Sequence, residues 1–143
     1  MSEQNKAVVR RLIEEHWNAK QAGLVGELFD PSATLHTPDG ALSGLDGASF
    51  LLQAYATAFP DFQIAVHDML AENDLVAVRY TFTGTQRGPL AELPATGRPV
   101  TVSDGTFIFR MSAGKIVEGH LMWNKYALLQ QLGAVVSGSP AGA

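Results

Sequence analysis

The sequence predicts a single α+β domain in which helices close the concave face of a curved antiparallel sheet around a small-molecule pocket. Three observations predict it. Apolar residues recur at helical spacing as far as Phe59. From Phe62 to Trp123 the period changes to the alternation of strands. Those strands follow one another through hairpin turns with no helix between them, the order of an α+β rather than an α/β domain.

The first helix is expected from about Gln4 to Lys20, where Val8, Val9, Leu12, Ile13 and Trp17 make one apolar face opposite Arg10, Arg11, Glu14 and Glu15. Gly23 ends it, and a short helical turn over Val25–Phe29 stops at Asp30-Pro31, because proline disfavours helix in the residue before it. Ala33–Thr37 reads as a short strand before the turn Pro38-Asp39-Gly40. Asp46 is the expected N-cap of a second long helix, with Phe50, Leu51, Ala54, Tyr55, Ala58 and Phe59 on its buried face and Pro60-Asp61 beyond its end.

Phe62, Ile64 and Val66 then alternate with polar or small residues as a strand does. The turn Glu72-Asn73-Asp74 leads into a β-branched and aromatic strand over Leu75–Thr83. The stretch Gly84–Pro99 reads as a loop from its glycines and prolines, Val100–Met111 as a strand, Ser112-Ala113-Gly114 as a hairpin and Lys115–Trp123 as the last strand. Asn124–Leu132 returns to helix. Residues 1–136 are therefore expected to form one domain, and 137–143, rich in Ser, Gly, Pro and Ala, a disordered tail. A long twisted sheet with helices on one face leaves a hollow where the two diverge, and such hollows are the usual ligand sites.

A chain of 143 residues can bury a proper core, and 46% hydrophobic with 17% charged residues is the balance of a soluble globular protein. Ten scattered Lys and Arg residues in a chain of net charge −4 argue against a nucleic-acid partner. The absence of cysteine excludes disulfides, thiolate nucleophiles and cysteine-based metal sites. No run reaches the roughly 18 apolar residues of a membrane span, and the polar N-terminal stretch is not a signal peptide, so the expected location is the cytoplasm with no membrane partner. No Gly-rich phosphate loop and no Gly-x-Ser-x-Gly nucleophile elbow occurs, so neither a nucleotide cofactor nor a serine nucleophile is expected. His16, His36, His67 and His120 lack the short spacings of metal motifs, and no metal is expected. A site assembled from distant positions, such as His36 and His120 with Asp104, stays open.

Successive blocks of the second half form one pattern: Phe59-Pro-Asp-Phe62, Asn73-Asp-Leu-Val-Ala-Val-Arg-Tyr80, Gly84-Thr85, Thr96-Gly-Arg-Pro-Val-Thr-Val102, Gly114-Lys-Ile-Val-Glu118 and Leu128-Leu-Gln-Gln-Leu-Gly133. In order and spacing they resemble the SnoaL-like polyketide cyclases, a branch of the nuclear-transport-factor-like fold that includes the ketosteroid isomerases. The likeness runs from about residue 7 to 134. It implies a curved sheet packed on three helices with a cone-shaped cavity, a homodimer, and ring closure on polyketides by intramolecular aldol chemistry without metal or cofactor. In these cyclases an aspartate after the Trp of the last strand serves as acid/base. Here Met122-Trp123-Asn124-Lys125 puts Asn124 at that position. An amide cannot take a proton from carbon, but it can donate a hydrogen bond to an enolate or carbonyl oxygen.

Strand alternation places Glu118, His120, Met122 and Asn124 on one face. If Asn124 faces the cavity, Met122 lines it and His120 is either a base or a hydrogen-bonded wall residue. His36, just before Pro38, is either a catalytic group at the cavity mouth or a strand-end histidine bonded to a turn. Asp104 breaks a β-branched and aromatic strand. Facing inward with Val102, Thr106 and Ile108, it is a buried base with a raised pKa; with Gly105 it instead marks a bulge. Trp17 and Tyr55 lie on inner helix faces, as core or as substrate-binding side chains. The expectation is a cofactor-free cyclase acting on a polyketide or similar conjugated carbonyl compound, by aldol or shape-driven pericyclic closure. Its rivals are an isomerase or hydroxylase of the same fold, or a non-catalytic binding module.

Overall fold

A computed structural model describes residues 2–134. Helix α1 (Ser2–Arg11) runs without a break into a π-helical stretch, Leu12–Asn18. A 3-10 turn (Ala22–Leu24) and α2 (Val25–Leu28) lead to the hairpin of β1 (Phe29–Thr37) and β2 (Gly40–Ser43). Next come α3 (Gly44–Ala58), β3 (Gln63–Glu72), β4 (Leu75–Thr85), β5 (Pro99–Ser112), β6 (Lys115–Met122) and α4 (Lys125–Gln131). The expected tail over 137–143 lies outside the described residues.

The six strands form one open sheet in the order β2-β1-β6-β5-β4-β3. The fold is α+β as the sequence implies, but the sheet is mixed rather than wholly antiparallel. After α3 the chain enters at the far edge and returns strand by strand, so that β6 arrives beside β1 running in the same direction. The other departures are local. β2 is a strand that the turn-rich sequence around Gly40 conceals. The residue preceding α3 is Ser43, and Asp46 sits inside its first turn. Phe50, expected on the buried face of α3, is 60% exposed.

Curvature comes from irregular pairing. The register shifts between Val66 and Asp68 on β3, and between Tyr80 and Phe82 where β4 meets β5. At the second site Tyr80 pairs with Gly105 and Phe82 with Val102, so Ser103 and Asp104 oppose Thr81 alone. An extra residue of this kind bends its strand and sharpens the local twist. Asp104 takes the left-handed conformation, φ 61°, which aspartate tolerates better than most side chains.

The bent sheet turns Val76, Val78, Tyr80, Phe107, Phe109 and Leu121 toward the helices, all buried. They meet Val9, Leu12, Ile13 and Trp17 of the first helix and Leu52 and Ala58 of α3. The wider π-helical turn brings Leu12, Ile13, His16 and Trp17 inward together. No helix among the described residues is long and apolar enough to cross a membrane.

Candidate active site

Between sheet and helices lies a narrow, apolar cavity. Trp17 of the π-helical stretch and Leu51, Leu52 and Tyr55 of α3 form the helical wall. Tyr80, Phe82, Val102, Phe107 and Leu121 form the sheet wall, with Phe62 and Ile64 at the start of β3, and Trp123 and Leu128 close the end at α4. Strand alternation explains the sheet wall: Val76, Val78, Tyr80 and Phe82 share one face, as do Phe107 and Phe109 beyond the bulge.

The aromatic side chains hold one another in place. Tyr80 stacks on Phe107 with centroids 3.9 Å apart, and Trp17 meets Phe107 edge-on at 5.1 Å. Tyr55 meets Trp123 edge-on at 5.5 Å. Gly105 makes this packing possible, because a Cβ there would lie 2.2 Å from Cζ of Tyr80.

The polar atoms of the wall are few. The Tyr80 hydroxyl donates to the Met122 carbonyl at 3.2 Å. The indole N–H groups of Trp17 and Trp123 are buried without a hydrogen-bond partner. Trp123 lies edge-on to Tyr55 and lowers the phenol's pKa, by less than burial raises it. Burial dominates and pushes the Tyr55 phenol up to about 12, and Tyr80 is pushed up by the same cause. Both are neutral donors at physiological pH. Among the described residues, no carboxylate and no imidazole lines this cavity.

An outer vestibule of about 1320 Å3, open to solvent, adjoins it and shares Leu51, Tyr55 and Leu128 with the inner chamber, so these three side chains form the neck. Its remaining walls come from the β1–β2 turn, α4, the loop over residues 86–98 and the outward-facing Phe50. Charged groups appear here: Asp39, paired with Lys125, and Glu92. Buried Gln86 holds the loop, accepting from Thr96 N and Oγ1 at 3.1 and 2.7 Å and donating to the carbonyls of Leu93 and Pro94.

The expected site residues divide between the two faces of the sheet. Trp17 and Tyr55 are on the cavity wall. Glu118, His120 and Met122 do share a face, but it is the outer one, because Gly119, Leu121 and Trp123 are the residues of β6 and its end that turn inward. Met122 is 55% exposed and does not line the cavity. His36 also points outward, since its neighbour Leu35 is the buried residue, and its ring stacks on that of His120. Asp104 does not face inward: its carboxylate is 78% exposed and bonds Arg79 at 3.3 Å. The bulge explains this, because the extra residues reset the alternation and give the inward positions to Gly105 and Phe107. Asn124 is exposed and caps α4, its Oδ1 accepting from Ala127 N at 2.9 Å. Tyr80, Phe107 and Trp123 were not singled out from sequence, although the alternation Val76-Val78-Tyr80 carries the signal for the first of them.

The sequence profile of the SnoaL-like polyketide cyclases matches residues 7–132, nearly the whole domain described above. The chain belongs to that family. Solved structures agree with the assignment. One is a proposed SnoaL-like polyketide cyclase from Jannaschia sp. CCS1, 25% identical, TM-score 0.86, covering 94% of this chain and 95% of that one. AclR, a proposed hydroxylase from Streptomyces galilaeus, is 28% identical with a TM-score of 0.82 and coverage of 95% and 100%. IdmH, a proposed polyketide cyclase from Streptomyces antibioticus, is 27% identical with a TM-score of 0.77 and coverage of 91% and 99%. No curated protein matches the chain.

Proposed function

We propose that the protein is a cyclase that closes a ring on a polyketide or related conjugated carbonyl compound by folding it inside the inner chamber, without a cofactor. The observation that carries this reading is the chemistry of the wall: aromatic and aliphatic throughout, with two unpartnered indole N–H donors and neutral phenols as its polar groups. A buried donor without a partner costs roughly 1–3 kcal/mol. A substrate carbonyl reaching Trp17 or Trp123 would relieve that cost and be polarised for ring closure. Confinement in a near-reactive conformation would supply the rest of the acceleration.

This favours shape-driven, pericyclic-type closure over an aldol step that needs a base at the reacting carbon. The groups able to carry protons, Asp39, Lys125 and Glu92, sit in the vestibule, where they would contact the part of a long substrate outside the neck. The partner of the reaction is thus a small molecule. A second copy of the chain is proposed as the macromolecular partner, because Leu70, Ile108 and Met122 are exposed on the outer face of the sheet.

Incubating the protein with linear conjugated polyketide substrates and analysing products by mass spectrometry and NMR tests the function. Ring gain with unchanged mass, or with loss of one water, is expected. The likeness to AclR favours hydroxylation as the second reading; a product that has gained one oxygen and no ring would replace the first reading with it.

A further inference from the structure

The outer face of the sheet carries a cluster that the cavity chemistry does not use. β1 and β6 form the parallel pair of the sheet, and their register places His36 directly beside His120. The two imidazoles stack with centroids 4.5 Å apart and planes 15° from parallel. Glu118, two residues before His120, projects from the same face. Its Oε2 is 3.1 Å from Nε2 of His36 and 3.7 Å from Nε2 of His120. The other carboxylate oxygen, Oε1, lies 3.9 Å from Nε of Arg110, whose Nη1 in turn donates to Asp74 at 2.8 Å.

The geometry points to a binding site for a divalent transition-metal ion of the Zn2+ class, ligated by Nε2 of His36, Nε2 of His120 and Oε2 of Glu118. The ligand atoms all lie within 4.8 Å of one another. Around a zinc ion with bonds of about 2.0–2.2 Å, neighbouring ligand atoms sit roughly 3.4 Å apart. The two measured separations straddle that value, and the near-parallel rings would turn out of their stack for both lone pairs to meet at one centre. Two imidazoles with one carboxylate form a borderline donor set that suits Zn2+, Co2+ or Ni2+ and disfavours Mg2+ and Ca2+, which take oxygen ligands. Arg110 lies near the oxygen the metal does not use, at 3.9 Å, and its own hydrogen bond goes to Asp74. All three ligands come from one chain.

The site lies across the sheet from the cavity, and an ion held there would not reach a substrate inside. It would tie β1 to β6 at the junction the meander closes last. This assignment is independent of the cyclase reading.

Calorimetric titration of the full chain with ZnCl2, and with CoCl2 followed by visible absorption, tests it. One ion per chain and Co2+ bands of a nitrogen- and oxygen-ligated site are expected, together with a raised Tm in Zn2+ but not in Mg2+. His36→Ala, His120→Ala and the conservative Glu118→Gln should each weaken binding by at least about 100-fold. His67→Ala, at a histidine bonded to Thr81 elsewhere, should leave it unchanged. Circular dichroism confirms that each variant is folded before titration. Binding that survives in a folded His36→Ala/His120→Ala double variant, or that is lost equally in His67→Ala, would overturn the assignment, as would no binding to the wild type.

Discussion

Gly105→Ala is the most exacting test of how the cavity wall is built. The added Cβ would sit 2.2 Å from Cζ of Tyr80 and 2.6 Å from its Cε1 and hydroxyl oxygen, well inside van der Waals contact. Tyr80 cannot retreat freely, because it is 2% exposed and stacks on Phe107 at 3.9 Å. Either the ring leaves its rotamer or β5 shifts at the bulge, and overpacking of this kind costs about 1–3 kcal/mol. For a chain of this size that lowers Tm by roughly 3–10 °C. Thermal and urea unfolding of the wild type, Gly105→Ala, Tyr80→Ala and the double variant make a double-mutant cycle. In the Tyr80→Ala background the glycine substitution should cost less than about 0.5 kcal/mol, giving a coupling of at least about 0.5 kcal/mol. A Gly105→Ala protein within a degree of the wild type, or additive losses, would refute the packing argument.

Other outcomes follow from the same geometry. Asp104→Asn and His120→Ala, on the outer face, should leave cyclisation within about 2-fold of the wild type by single-turnover product assay. Asn124→Ala should lower stability by about 1 kcal/mol through the lost cap of α4, measured by urea unfolding. Burial raises the Tyr55 phenol to about 12. Its neutral form therefore contributes stability that is complete below about pH 10 and is lost as pH rises toward 12, roughly 2 kcal/mol after allowing for partial exposure. Tyr55→Phe should flatten the alkaline decline in Tm, leaving the part due to Tyr80. Buried His16, whose Nδ1 donates to the Gln21 carbonyl at 2.9 Å, has its pKa lowered mainly by desolvation. Its contribution is present above about pH 6.5 and fades as pH falls through the lowered value, so His16→Leu should show a shallower loss of Tm between pH 7 and pH 5.

The fold was legible because its signals are additive. The helical period around Val9, Leu12 and Ile13, and the β-branched alternation through Val76, Val78 and Tyr80, each span enough residues to fix element type and inner face. The parallel β1–β6 pairing was not legible, since local pattern does not say which distant strand a strand meets. The site was misread through Asp104. An alternation counted from Val102 points that side chain inward, yet the bulge beginning at Ser103 resets the count. The same Asp104-Gly105 pair carried the bulge reading as well, and choosing between the two required the register of β4. On β6 the alternation was right and its face was wrong. Gly119 and Leu121 turn inward, whereas the anchor for the count, Asn124, lies beyond the strand's end, where strand alternation no longer applies. The histidine cluster was half visible: His36 and His120 do meet, but with Glu118 instead of Asp104.

On the proposed function, substrate is held between the aromatic walls of the inner chamber. A crystal structure of the protein with a polycyclic ketone product tests it most directly. The ligand is expected between Trp17, Tyr55, Tyr80 and Trp123, with a carbonyl oxygen within hydrogen-bond distance of an indole Nε1. A ligand bound on the outer face beside His36 and His120, or confined to the vestibule with the neck at Leu51, Tyr55 and Leu128 closed, would contradict it.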